Sequence, residues 1–203
     1  MDMMIILYIL IGYVLGSIPF ALVIGKLFYH TDIRKHGSGN LGGTNAGRVL
    51  GKKAGIATIV LDVVKVILAV GIVSIGFQDA PNSIWAGVAA AFGHCYPLFA
   101  HFKGGKAAAT LVGFLFSTAW FTFHDAWFVI LPLVVFFIVL YLFKMVSLSS
   151  MCMALVSSLY ISFMQEDVSI TLASWLLTFL VVYRHRTNIG KIINKSESKI
   201  TWM

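Results

Sequence analysis

The chain is a succession of apolar runs, most of them near the roughly 17–25 residues that a helix needs to cross a hydrocarbon core. They fall at Met3–Phe28, Ala54–Phe77, Ile84–Ala100, Ala107–Thr122, Ala126–Phe143, Ser147–Met164 and Ile170–Tyr183. Seven such runs predict an all-α integral membrane protein with seven transmembrane helices. The third and fourth are short, which leaves a broken or re-entrant helix open at those places. Composition agrees: 59% of the 203 residues are hydrophobic, 11% are charged, and the mean hydropathy is +0.91. A soluble domain of this length could not solvate that much apolar surface. The first run is too long for a signal-peptide core and has no basic flank before it, so it reads as a retained span. No internal repeat, low-complexity tract or second domain interrupts residues 1–203, which read as one polytopic domain.

The charges orient the bundle. Lys26, Arg34, Lys35, Arg48, Lys52 and Lys53 flank the first connector, Lys103 and Lys106 the third, and Lys144 the fifth. Arg184, Arg186, Lys191, Lys195 and Lys199 occupy the tail, and Lys65 lies inside the second span. The N-terminus and the even-numbered connectors carry Asp2, Asp79, Asp125, Glu166 and Asp167 with no Lys or Arg. The positive-inside rule then places the N-terminus outside and the C-terminus in the cytoplasm. The net charge of +7 is mostly this topology, and it suits an anionic inner leaflet better than nucleic acid.

Several features need no chemistry. Cys95 and Cys152 lie far apart in apolar runs without metal-ligand spacing, as buried small hydrophobes do. Gly12 and Gly16 form a GxxxG that suits close helix packing. Pro19 and Pro132 predict kinks. Asp62 and Lys65, three apart inside a span, fit either a functional charge pair or a mutual ion pair near the inner end.

Three inner blocks are different. The first, His36 to Gly55, reads HGSGNLGGTNAGRVLGKKAG. Its glycines allow positive φ and close backbone approach, so several N–H groups can turn toward one anion. Ser38, Asn40, Thr44 and Asn45 add neutral donors, and Arg48 offers a planar fork suited to phosphate or carboxylate. Neither a Walker A loop nor a dinucleotide fingerprint is present. The second block is GHCYPLFAHFKGGKAAAT, Gly93 to Thr110, in which Lys103-Gly104-Gly105-Lys106 immediately precedes an apolar helix. That is a helix-terminus anion site, or else plain membrane anchoring by two lysines. His94 lies just inside the membrane end, where a packing histidine fits; His101 and His124 sit at interfaces. The third block runs from Tyr183 to Lys199, with His185 and Asn188 three apart and Glu197 downstream. If the helices bundle, these blocks converge, and two cradles suit two phosphate-bearing ligands or one large one.

These residues resemble the acyl-phosphate:glycerol-3-phosphate acyltransferases of bacterial membranes, the PlsY type. The family pattern GSGNxGxTNxxR followed by GxxxG matches Gly37 through Arg48 and Gly51 to Gly55. GHxxPxFxxFKGGKxxAT matches Gly93 through Thr110, and RHxxNI with a downstream small residue and Glu resembles Arg184 to Ile189 and Ser196-Glu197. GSIPF at Gly16–Phe20 and SLSS at Ser147–Ser150 are similar too, so the likeness spans nearly the whole chain. The departures are Gly43 for the usual Ala, Ala107-Ala108 for Gly-Val, Val66 for Gly after Lys65, and Asn194-Lys195 for a residue-Gly pair.

The resemblance implies a seven-helix protein of the bacterial inner membrane with its active site facing the cytoplasm. It implies transfer of a fatty acyl group from acyl phosphate to glycerol 3-phosphate, giving lysophosphatidic acid and phosphate for phospholipid synthesis. By motif position it assigns His185, Arg48 and Lys106 to catalysis. It assigns Ser38, Gly39, Asn40, Thr44, Asn45, Lys103, Gly104, Gly105, Asn188 and Glu197 to substrate binding, with membrane lipid as surroundings and no cofactor or metal. An acyl phosphate already carries a good leaving group, so positioning and charge stabilisation suffice. His185 is expected to orient the acceptor hydroxyl or act as base, unless a substrate phosphate takes the proton. No His is followed by Asp five positions on, which excludes the His-x4-Asp acyltransferases that use acyl-CoA or acyl-carrier protein. The paired Asp cluster of magnesium-dependent CDP-alcohol transferases is also missing. A transporter for a phosphorylated metabolite would explain Asp62, Lys65 and His94, but the chain has no halved, repeated architecture. A scaffold that only binds lipid phosphate would explain the cations but not Asn40, Asn45 and Asn188.

Overall fold

In a computed structural model the chain is described over residues 3–200; Asp2, part of the charge count at the N-terminus, lies outside the described residues. Every regular element among them is helical. The first apolar run is two helices, α1 (Met3–Gly16) and α2 (Phe20–Tyr29), broken at Ser17-Ile18-Pro19 because proline cannot continue the hydrogen-bond ladder. A short α3 (Gly43–Leu50) leads into the long α4 (Lys52–Gly76). Then come α5 (Ile84–Cys95) and α6 (Ala108–Ser117), the latter extended by a π-helical turn, Thr118–Phe123. The last three apolar helices are α7 (Trp127–Phe143), α8 (Val146–Met164) and α9 (Val168–Arg184). After α9 the chain bends by 56° into α10 (Arg186–Ile193). Each of the seven apolar runs is thus helical. Three stretches, Met3–Tyr29, Lys52–Gly76 and Val146–Met164, are long and apolar enough to cross a membrane alone, and α9 with α10 makes a fourth if counted as one span.

Glycine sets the tightest crossings. α1 lies on α5 with Gly12 and Gly16 directly against the backbones of Ala86 and Ala90, where any Cβ would overlap the carbonyl oxygens. Gly93 of α5 answers from the other side: a Cβ there would sit 2.8 Å from Ser17 N. α3 lies on the start of α4 in the same way, Gly47 facing Gly55 at 2.6 Å for an added Cβ. Without a hydrophobic drive between helices in lipid, such close approach is what makes dispersion effective. Around these contacts Val66, Val70 and Val73 of α4 pack with Phe114 and Leu115 of α6 and with Met153 of α8. Val66 takes the space beside Gly113 of α6.

The outside is apolar. Leu68, Ile75, Ile138, Leu142, Phe163 and Phe179 are all exposed, an outward face suited to acyl chains. Buried hydroxyls are satisfied locally: Ser117 and Ser150 bond the carbonyls four residues back, and Ser158 meets Thr178 at 2.7 Å between α8 and α9. The α1–α5 crossing gives a direct test. Gly16→Leu should destabilise the protein by about 3 kcal/mol or more, since backbone rather than a movable side chain blocks the new atoms. The melting temperature in detergent should fall sharply, whereas Gly76→Ala, with open space around it, should leave it unchanged.

Candidate active site

The glycine-rich connector folds around one buried asparagine. Gly37 and Gly39 both have positive φ, +60° and +69°, and the chain doubles back between them. Asn45, 2% exposed, fills the turn from inside. Its Oδ1 accepts the Ser38 N–H at 2.9 Å, and its Nδ2 donates to Asn40 O at 3.0 Å and His36 O at 3.3 Å. The amide of Asn45 and the N–H of Ser38 are therefore spent on the loop, not held free for an anion. Asn40 keeps a buried Oδ1 without a partner. The glycine contact of α3 on α4 then sets Thr44 and Arg48, four residues apart and both exposed, on one open face. Upstream, Asp32 caps the turn Ile33–Lys35 and grips Arg34 at 2.6 Å. The Arg34 hydrogen bonds hold its carboxyl well below the usual carboxylate range.

The Lys103–Lys106 turn is seated on α5. Gly105 donates its N–H to His94 O at 2.9 Å, and a Cβ at Gly104 or Gly105 would overlap the His94 carbonyl or ring. Close approach, rather than a free N–H cradle, is what requires glycine at both positions. On the other side Arg184 donates through Nε to Gly105 O (3.0 Å) and through Nη2 to Gly104 O (3.2 Å), its guanidinium lying over the Tyr96 ring. The two lysines diverge. Lys103 is exposed and joins Gly39, Asp32, Arg34, Lys35 and His101 around an open cleft of about 510 Å³. Lys106 is half-buried and turns toward the tail.

There a chain of bonds fixes it. Lys106 Nζ donates to Asn188 Oδ1 at 2.5 Å, Asn188 Nδ2 donates to Glu197 Oε1 at 2.7 Å, and Ser147 Oγ donates to the same Oε1 at 2.6 Å. Because an ammonium can only donate and a carboxylate only accept, the orientation of the Asn188 amide is determined. Burial pulls the Lys106 pKa down and Glu197 raises it, while Lys191, Arg184 and Arg48 lower it further. His185, at the bend between α9 and α10, is 4% exposed, and its Nδ1 donates to Val181 O at 2.8 Å. Nε2 is left as an acceptor. Burial pushes this imidazole down to about 4, so it is neutral at pH 7.

The sequence of the glycerol-3-phosphate acyltransferase family matches this chain over residues 6–195. The chain belongs to that family. It is 46% identical over 196 residues to the glycerol-3-phosphate acyltransferase of Geobacillus kaustophilus, covering 97% of this chain and 96% of the relative. To the Bacillus subtilis enzyme of the same name it is 47% identical over 201 residues, covering 99% and 100%. A crystal structure of PlsY, an integral membrane glycerol 3-phosphate acyltransferase in its glycerol 3-phosphate form, superposes with a TM-score of 0.87 at 31% identity, covering 97% of this chain and 96% of that one. The lysophosphatidic acid form of PlsY gives 0.83 at 30%, covering 97% and 95%. This glycerol-3-phosphate acyltransferase family member is accordingly an integral membrane protein.

Within it, Lys106, Asn188 and Glu197 are joined by hydrogen bonds across two connectors, His185 lies at the adjoining bend, and Arg48 is exposed on α3. Ser38 and Asn40 lie on the glycine-rich loop and Thr44 on α3, and Gly39 with Lys103 lines the open cleft. Two participants lie in matched stretches of the sequence without a role that the sequence alone suggests. Arg184 looks like one more membrane-flanking cation, and Ser147 like one of several helix serines. Among the described residues no three His, Cys, Asp or Glu side chains gather as metal ligands.

Two departures from the family pattern fall on strained backbone. Ala107 (φ +61°) precedes α6, and Lys195 (φ +57°) follows α10. The Lys195 position is a Schellman turn, with Ser196 N–H bonding Lys191 O at 2.8 Å and Lys195 N–H bonding Ile192 O at 3.0 Å. Ala107→Gly and Lys195→Gly should each stabilise the protein by about 1 kcal/mol, read as a higher melting temperature. His185 supplies a pH test. Its folded pKa is depressed, so its stabilising contribution is full above pH 6.5 and is lost as pH falls toward about 4. Melting temperature should decline over that window, and His185→Gln should flatten the decline.

Proposed function

We propose that this protein transfers a fatty acyl group from acyl phosphate to glycerol 3-phosphate, yielding lysophosphatidic acid and inorganic phosphate. The observation that carries the reading is a cationic site in which Lys106, fixed by Asn188 and through it by Glu197, stands beside the neutral His185, with Arg48 exposed on α3. Such a field suits two phosphate-bearing substrates. The positive-inside distribution supports seven spans, a cytoplasmic C-terminus and a site open to the cytoplasm of a bacterial inner membrane. The exposed apolar faces of the helices leave room for the acyl chain in lipid.

The reaction needs no covalent enzyme intermediate. The acceptor hydroxyl oxygen bonds to the acyl carbon, the carbon–oxygen bond to phosphate breaks, and phosphate leaves with the electron pair. Arg48 and Lys106 stabilise charge on the carbonyl and the departing phosphate. His185 Nε2 accepts the hydrogen bond of the hydroxyl and aims it. With a pKa near 4, His185 is a poor proton sink, and phosphate, whose second pKa is about 6, is the better one. Asn188 and Glu197 act by holding Lys106 in place. Ser38, Gly39, Asn40, Thr44 and Lys103 complete the binding surface for the second anion, while Asn45 shapes the loop that carries them.

Purified protein should acylate labelled glycerol 3-phosphate from acyl phosphate and not from acyl-CoA or acyl-carrier protein. Absence of product with every donor, together with phosphate-ester movement across vesicles, would favour a transporter instead. Arg48→Ala should slow transfer by about 10²–10³-fold, the roughly 2.7–4 kcal/mol that one such donor supplies. Near-normal turnover in that variant would count against the site.

A further inference from the structure

Beneath the Lys103–Lys106 turn lies a group of charges that the proposed reaction does not use. Lys65 Nζ, in α4, sits 2.7 Å from Asp62 Oδ1, 3.1 Å from His94 Nδ1 of α5 and 2.9 Å from Ile18 O. His94 Nδ1 is 3.4 Å from Asp62 Oδ1. All three side chains are 5% exposed or less. An ammonium can only donate, so His94 Nδ1 must accept, and its proton sits on Nε2, the ring edge that faces Gly105. Asp62 is held by proximity alone: neither of its oxygens receives a well-aligned hydrogen bond. Such a cluster is a poor device for stability, because apolar side chains of similar volume would cost less desolvation.

We propose that Asp62, Lys65 and His94 are positioning residues that set the height and orientation of the Gly104–Gly105 backbone, and so place Lys106 against its substrate phosphate. The turn is clasped from two sides. Arg184 holds both glycine carbonyls from the tail, and His94 holds the Gly105 N–H while its ring fills the space that a Cβ would need. Lys65 fixes the ring through Nδ1, and through Ile18 O it also fixes the break between α1 and α2. Lys106 is one residue beyond Gly105, so a tilted imidazole displaces the ammonium. This inference rests on the reading that Lys106 meets a substrate phosphate.

The test uses the full-length protein in detergent with acyl phosphate and labelled glycerol 3-phosphate. Removing both charges together, Asp62→Leu with Lys65→Met, leaves the Ile18 carbonyl without its donor and should lower the melting temperature by several degrees while the protein still folds. It should lower kcat/KM about 100-fold, the loss expected from an ångström-scale misplacement of a catalytic group. Wild-type turnover in that variant overturns the proposal. If the variant does not fold, a cycle at the contact decides. His94→Ala and Gly105→Ala should each depress kcat/KM with little change in melting temperature. The double variant should be no worse than the poorer single one, because ring and methyl compete for one space. Additive losses overturn the proposal. Wild-type protein that transfers from no donor overturns the functional reading and this inference with it, whereas active wild type with unaffected variants overturns the inference alone.

Discussion

The structure depends on how a lipid-embedded chain satisfies backbone that has left the helix. Water is scarce there, and each stray carbonyl must find a donor within the protein. Two buried or half-buried cations supply it. Lys65 takes the Ile18 carbonyl where α1 breaks before Pro19, and Arg184 takes the Gly104 and Gly105 carbonyls between α5 and α6. Neither is then free to hold an anion through those protons. Part of the charge of so basic a chain is therefore structural. Arg48 on the open face of α3 and Lys103 at the start of the clasped turn stay exposed, while Lys106 at its end is held by Asn188.

The same division separates the neutral polar residues. Asn45 and Asn188 look alike in the sequence, each following a glycine- or arginine-bearing motif. Asn45 spends its whole amide on three atoms of its own loop, whereas Asn188 bridges Lys106 and Glu197 across two connectors. Glu197 would repel a phosphate if it faced one. Its Oε1 instead accepts from Ser147 and Asn188, and the segment that carries it is tied down again where Ile200 donates to Lys144 O at 2.8 Å. The tail is thus a strap from α10 to the start of α8, and its acid reaches Lys106 through Asn188.

Much of this was legible in the chain itself, because the controlling patterns are local. Apolar length defined seven helical runs, Pro19 marked the break, and GxxxG marked the α1–α5 crossing. The three polar blocks stood out because glycine, asparagine and arginine are unusual between greasy spans. The partners of those blocks were not legible. Lys106 and Asn188 are 82 residues apart, Ser147 and Glu197 50, and Arg184 and Gly105 79. No spacing rule distinguishes Arg184 from Arg186, yet one holds the turn while the other lies over Tyr183. The Asp62–Lys65 pair was visible at helical spacing, but its third member, His94, comes from the next helix.

The departures from the family pattern sharpen the point. Gly43 stands where alanine is usual, and a Cβ there would run into Ile59, so the smaller residue on α3 answers a larger one on α4. Val66 stands where glycine is common and is fully buried against Gly113, the exchange in the opposite direction. At both positions the residue present fits the space its partner helix leaves. Ala107 and Lys195 conserve nothing of the kind, since each puts a Cβ on left-handed backbone. Both nevertheless keep the geometry: α6 starts directly after the clasped turn, and the Schellman bonds close α10 before Glu197. A strained residue survives where its surroundings over-determine the backbone. Here His94 and Arg184 on one side and Ser147 on the other supply that constraint, so the local strain is tolerated at the two positions from which Lys106 and Glu197 take their direction.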